Sequence, residues 1–208
     1  MQKEMRRAAV LSVLLLVPAA VGAVVASARP AASGWTTHRV GPARIAIDAP
    51  ATWIDMTRLT PQVLARVKKM PALASYITAV QQSKAIKLML ADAGPDTAAT
   101  GFATNCNVIQ IATIGDLRLL RDANLAQLKA SGFVVGTVHA AYVSLPAGRA
   151  VEFAYKARYG AGTKTVSLLQ FILARDGKST VLTYTTLPSR EAAELPVFLR
   201  SARSFHFV

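Results

Sequence analysis

The 208-residue chain contains one cysteine, Cys106, and three histidines. A single cysteine excludes an intramolecular disulfide. His38, His139 and His206 are scattered and never stand at i, i+3 or i+4, so no local zinc motif is present. There is no G-x-S-x-G elbow and no glycine-rich phosphate loop. Acidic residues are scarce: 11 Asp and Glu stand against 24 Lys and Arg, a formal net charge of +13. No arginine run and no aromatic-rich basic motif accompanies that charge, so nucleic acid is not the expected partner. No catalytic residue, metal or cofactor is expected from these absences.

What the chain does have is apolar mass, 52% hydrophobic against 17% charged, enough for one good core. Part of it is local. Lys3, Arg6 and Arg7 stand against Glu4 at the start, and the 21 residues Ala8–Ala28 carry no charge. A basic start, an apolar centre and the A-x-A site Ala26-Ser27-Ala28 describe a signal peptide over residues 1–28. The same stretch is long enough to stay as an uncleaved membrane anchor. In both cases the rest is expected outside the cytoplasmic membrane. No cysteine follows the stretch directly, so lipid attachment there is not expected. Residues 29–37 read as a linker and 38–208 as a single globular domain. Without residues 1–28 the net charge is +11. A basic exported protein is drawn to anionic lipid, wall polymers and acidic proteins. The competing account is that the charge is a scattered solubility surface.

Along the domain, His38–Val40 and Arg44–Ile47 form a hairpin about Gly41-Pro42, ended by Ala49-Pro50, with Trp53 as a core anchor. Thr60-Pro61 opens a helix carrying Val63, Leu64 and Val67 on one face. Pro71 starts a second helix with Leu73, Ile77 and Val80 inward. Lys84–Ala93 reads as a strand leading into a Gly94-Pro95-Asp96 loop, and Gly101–Thr113 as the next strand. Asp116 caps a helix through Lys129, striped by Leu117, Leu120 and Leu128 and ended by Ser131-Gly132. A four-strand meander follows: Val134–Leu145, Arg149–Tyr159, Thr165–Ala174 and Ser179–Thr186. Its turns are Pro146–Gly148, Gly160–Gly162 and the Asp176-Gly177 hairpin. Pro188–Ala202 is a helix interrupted at Pro196, and "SFHFV" closes as a strand. Strands joined by such short turns are antiparallel. The fold class is therefore α+β, an antiparallel β-sheet with helices on both faces.

"ATWIDM" after the first hairpin, "GFATNCNVI" before a helix, "VSLPAGRAVEFAY", "KSTVLTYTT" and a terminal "FLRSARSFHF" occur in that order. In this the chain resembles the PsbP-like α/β/α sandwich family, nearest to the exported actinobacterial proteins of the LpqN type. The resemblance covers most of residues 38–208, and its motifs are structural. It implies a binding or accessory module and not an enzyme. LpqN-type proteins usually carry an N-terminal lipid cysteine, and this chain does not.

The candidate functional residues are few. Strand alternation puts Phe102, Thr104, Cys106 and Val108 on one face and Asn105, Asn107, Ile109 and Ile111 on the other. Cys106 is expected to be a packed strand residue, since a buried cysteine behaves as a small hydrophobe. A reactive thiol needs a nearby cation or helix N-terminus. Asn105 and Asn107 either tie neighbouring loops or line a polar pocket at the sheet end, and Arg149 has the same ambiguity. Asp48 and Asp55 flank Trp53 and suit turns or caps, the alternative being the lining of a cleft, and Glu191 and Glu194 suit a helix start. The candidate basic surface is Arg66, Lys68, Lys69, Lys84, Lys87, Lys156 and Arg158. The function expected is an exported, envelope-associated binding or accessory module acting through this surface on a protein, wall polymer or anionic lipid. The alternatives are an envelope enzyme with an unrecognised site, for which Cys106 is one candidate, or a carrier of an apolar ligand held near Met70, Leu73, Leu88 and Met89.

Overall fold

In the computed structural model the residues described are 34–113, 115–159 and 164–208. The expected signal or anchor segment, the linker up to residue 33 and the Gly160–Gly162 turn lie outside them. Strand β1 (Trp35–Val40) runs into a 3-10 turn, Gly41–Ala43, and returns as β2 (Ile45–Pro50). Pro42 presets φ in the turn, and Arg44 closes it at φ 53. Trp35–Thr37, expected as linker, is thus paired strand, Trp35 opposite Pro50. The hairpin is longer than its apolar pattern alone suggests.

Past Pro50 the chain starts a second sheet at β3 (Trp53–Asp55). Helices α1 (Pro61–Lys69) and α2 (Pro71–Gln82) follow, Thr60 capping the first by accepting from Val63 N–H at 3.3 Å. β4 (Ile86–Asp92) leads to α3 (Pro95–Thr100), a one-and-a-half-turn helix where a loop was expected. Its Pro95 fits a first helical turn, and Gly101 ends it at φ 62. β5 (Asn105–Ala112) begins later than expected, because Gly101–Thr104 is used to leave α3. Phe102 therefore does not share the Cys106 face. It meets Tyr159 edge-on at 5.5 Å on the other side of the sheet.

Asp116 caps α4 (Leu117–Ala130), accepting from the Arg118 and Leu119 N–H groups. The meander is β6 (Val134–Leu145), β7 (Gly148–Tyr159), β8 (Lys164–Arg175) and β9 (Lys178–Thr186). Asp176 and Gly177 both take positive φ, 50 and 68, as a two-residue hairpin turn requires. A 3-10 turn at Pro188–Arg190 opens α5 (Glu191–Ser204), which runs unbroken through Pro196. β10 (His206–Phe207) ends the chain on β2.

All the strand pairs are antiparallel, but they make two sheets. The smaller has the order β1-β2-β10 and the larger β3-β4-β5-β9-β8-β7-β6. Ile45, Ile47 and Ala49 of β2 are fully buried against Leu88, Leu90, Val108 and Leu182 of the large sheet. The Phe198 ring of α5 stacks on Tyr184 at 5.0 Å and meets Trp53 at 6.4 Å on that same face. The opposite face takes α1, α2 and α4 through Val67, Leu73, Tyr76, Leu120 and Leu128. Period-two burial along β7 sends Val151, Phe153, Tyr155 and Tyr159 into this second core, and Glu152, Lys156 and Arg158 the other way.

Candidate functional site

The Asn105 amide is committed inside the protein. Its Nδ2 donates to the Tyr76 hydroxyl at 3.1 Å and to the Ala103 carbonyl at 3.0 Å, and Tyr76 itself donates to Ala103 O. These bonds fasten α2 to the sheet. Burial pushes the Tyr76 hydroxyl pKa well above its ordinary value. Asn107 lies one step along, opposite Thr183, which is opposite Gln170. The three form a polar row across β5, β9 and β8, in mid-sheet and not at its end. Gln170 Nε2 donates to Thr183 Oγ1 at 3.0 Å. Asn107 Oδ1 and Gln170 Oε1 have no hydrogen-bond partner among the described residues.

Cys106 is 0% exposed. It stands between Leu90 and Tyr184 on the neighbouring strands. Burial pushes its thiol up to about 12, the nearby Tyr184 hydroxyl pulling slightly the other way. At neutral pH such a thiol is a core side chain and not a nucleophile. The residues named for an apolar ligand are divided: Leu73 and Met89 are buried on the helical side, Leu88 on the side of the small sheet. Asp55 turns the chain, accepting from Thr57 N–H at 2.9 Å and pairing with Arg58. Asp48 accepts from Thr37 Oγ1 at 2.6 Å. Glu194, 2% exposed, is more than a dipole partner. Arg190 holds it at 3.2 Å and Asp96 at 2.9 Å, locking α3 to the start of α5.

The seven candidate basic residues do not gather in one place. Arg66, Lys68 and Lys69 are exposed on α1. Lys156 and Arg158 face the opposite side of the sheet, Lys156 lying 3.8 Å from Glu191. Lys87 folds back on the Lys84 carbonyl at 2.8 Å. Two other groupings were not legible in the sequence. Arg149 lies over the Tyr142 ring at 4.7 Å, and Arg121 of α4 covers the same ring at 5.2 Å. The short β6–β7 turn does bring Arg149 beside Tyr142, but no local signal brings Arg121.

The second grouping is a hollow of about 220 Å³ where the small sheet meets the β8–β9 turn. Arg44, Arg175 and Lys178 supply its cations, Gln110 and Thr180 its polar wall, Phe207 an aromatic side, and Asp176 its one acidic side chain. Arg175 stacks on Phe207 at 5.0 Å and pairs with Asp176 at 3.3 Å. Arg44 Nε donates to the Val208 carbonyl at 3.1 Å. Gln110 Nε2 bridges the Ala43 carbonyl and Thr180 Oγ1, tying the two sheets at the hollow's floor. Among the described residues no group of three or more His, Cys, Asp or Glu could hold a metal ion.

No protein-family model and no curated protein matches the chain. Solved structures do. The solution structure of cyanobacterial PsbP (CyanoP) from Synechocystis superposes with a TM-score of 0.51 at 14% identity, over 88% of this chain and 98% of that one. The fold is PsbP-like. The large antiparallel sheet carries α1, α2 and α4 on one face and α5 with the β1-β2-β10 sheet on the other. LpqN, described as involved in cell envelope biogenesis of Mycobacterium tuberculosis, is also similar, with a TM-score of 0.47 at 13% identity over 84% of this chain and 91% of that one.

Proposed function

We propose that the chain is an exported, non-enzymatic accessory module of the cell envelope that binds an anionic partner through exposed cations. The observation that carries this is the hollow rimmed by Arg44, Arg175 and Lys178 with a single acidic side chain in its wall. Its cations stand side by side, a setting for a phosphate, sulfate or carboxylate group. The exposed Arg66, Lys68 and Lys69 of α1 add attraction from elsewhere on the surface. Lys84, Lys87, Lys156 and Arg158 lie elsewhere on the surface, Lys156 beside Glu191. The N-terminal basic and apolar segment supports export. The buried Cys106 thiol, held protonated at neutral pH, speaks against a cysteine enzyme.

Each Lys or Arg near an anionic surface contributes about 1 kcal/mol at most. Three or four acting together give weak, salt-sensitive binding. The test is co-sedimentation with isolated envelope fragments at low and high salt. Binding at low salt, release at high salt and a weaker curve for Arg175→Gln/Lys178→Gln support the proposal. No binding at low salt, or binding indifferent to salt, overturns it.

A further inference from the structure

Among the described residues β6 is the outer strand of the large sheet, paired only with β7. Its twelve residues, VVGTVHAAYVSL, contain no Asp, Glu, Lys, Arg or Pro. Those are the residues that usually guard an open edge against pairing with another chain. The opposite edge is the three-residue β3, too short to template much. The first part of β6 is irregular, with Gly136 at φ 79 and a register shift between Val135 and His139. From His139 to Leu145 the strand pairs with β7 residue for residue. Successive residues of a strand point their backbone groups to alternate sides. Half of the N–H and C=O groups in His139–Leu145 therefore face outward in a regular row.

The charge beside this row is positive on the helical face. Tyr142 is exposed at the edge, and Arg121 and Arg149 cover its ring. Arg121 shares Asp122 at 2.7 Å. Arg149 has no acidic partner among the described residues. Glu152 stands opposite Ala141, on the other face of the sheet. A second copy of this chain fits poorly as occupant. Its β6 would bring no acid and would add another Arg121–Arg149 pair on the same side. An extended segment with acidic side chains answers both features at once.

We propose that the outer edge of His139–Leu145 is a docking site for an extended, acidic segment of a partner protein, which joins the sheet as an added strand and sets a carboxylate against Arg149. Main-chain hydrogen bonds supply the binding and the arginines choose the charge. The choice of an acidic segment rests on the anionic-partner reading above; the backbone pairing stands apart from it.

The test uses short synthetic peptides alternating Thr and Val with Glu at the central positions. Controls carry Lys in place of Glu, or N-methyl groups along one backbone edge or the other. Binding is read by titration and by amide hydrogen exchange across residues 139–145. The Glu peptide is expected to bind and to slow exchange of the outward amides. N-methylation of the pairing edge is expected to abolish both effects. Arg149→Gln should weaken binding about threefold, as one exposed charge pair does. If both N-methylated peptides bind as well as the parent and exchange in β6 does not change, charge alone is at work. The docking site is then refuted while the anionic-partner reading stands. Protection of these amides in a dimeric free protein would assign the edge to a second copy and overturn the proposal. Failure of the Glu peptide while salt-sensitive envelope binding persists overturns it too, whereas loss of envelope binding refutes the broader reading.

Discussion

Raising the pH above 9 should loosen the sheet at Cys106. The thiol is fully buried between Leu90 on β4 and Tyr184 on β9, and burial moves its pKa from 9.0 to about 12. A folded pKa above the unfolded one means stability that is complete below pH 9 and is lost as pH climbs toward 12. The full difference corresponds to about 4 kcal/mol, a large part of a domain's stability. Buried Tyr76, Tyr155 and Tyr184 are shifted upward by the same cause, so they add to the alkaline loss at higher pH. At pH 8 the native thiolate fraction is about a thousandfold below that of the unfolded chain. The assay is maleimide labelling at pH 8, native against urea-unfolded, joined to urea melts from pH 8 upward. Cys106→Ala should be weaker at neutral pH, because it leaves a small cavity, yet lose less stability between pH 9 and 12. Native labelling within about tenfold of the unfolded rate would refute the burial argument. So would an alkaline loss of equal size in Cys106→Ala.

Phe198→Ala removes the ring that stacks on Tyr184 and meets Trp53, and should cost about 3–5 kcal/mol in a urea melt. Arg190→Ala removes the cation that pairs with Asp96 and the buried Glu194, and should cost about 3 kcal/mol in a urea melt. N-terminal sequencing of the exported form should begin near Arg29.

The meander was legible because each of its elements announces itself locally. Asp176-Gly177 supplies two residues that tolerate positive φ, and β7 sets Val151, Phe153, Tyr155 and Tyr159 on one face against Glu152, Lys156 and Arg158 on the other. The packed state of Cys106 was expected because a cysteine in an apolar strand with no activating cation behaves as a small hydrophobe. The split into two sheets was not legible, since it depends on β2 pairing with β10 at the far end of the chain. α3 was hidden by its brevity and by the Gly94-Pro95 start that also suits a loop. Asn105 had two open roles in the sequence, because its partner Tyr76 lies on a different element 29 residues away. The Arg121–Tyr142–Arg149 grouping and the Arg44–Arg175–Lys178 hollow join distant segments by tertiary packing, which composition and periodicity do not encode.

The central claim is that exposed cations recruit an anionic partner, and binding to defined surfaces tests it most directly. The protein is mixed with anionic phospholipid vesicles, with a polyanionic wall polymer and with neutral vesicles, at about 0.1 M and about 1 M salt, where the screening length falls from about 10 Å to about 3 Å. The account predicts binding to at least one anionic surface at the lower salt, release at the higher, and none to neutral vesicles. Lys68→Glu/Lys69→Glu or Arg175→Gln/Lys178→Gln should weaken the binding without changing the urea midpoint. Protein left in the supernatant with every surface, or bound equally to neutral vesicles, would contradict it.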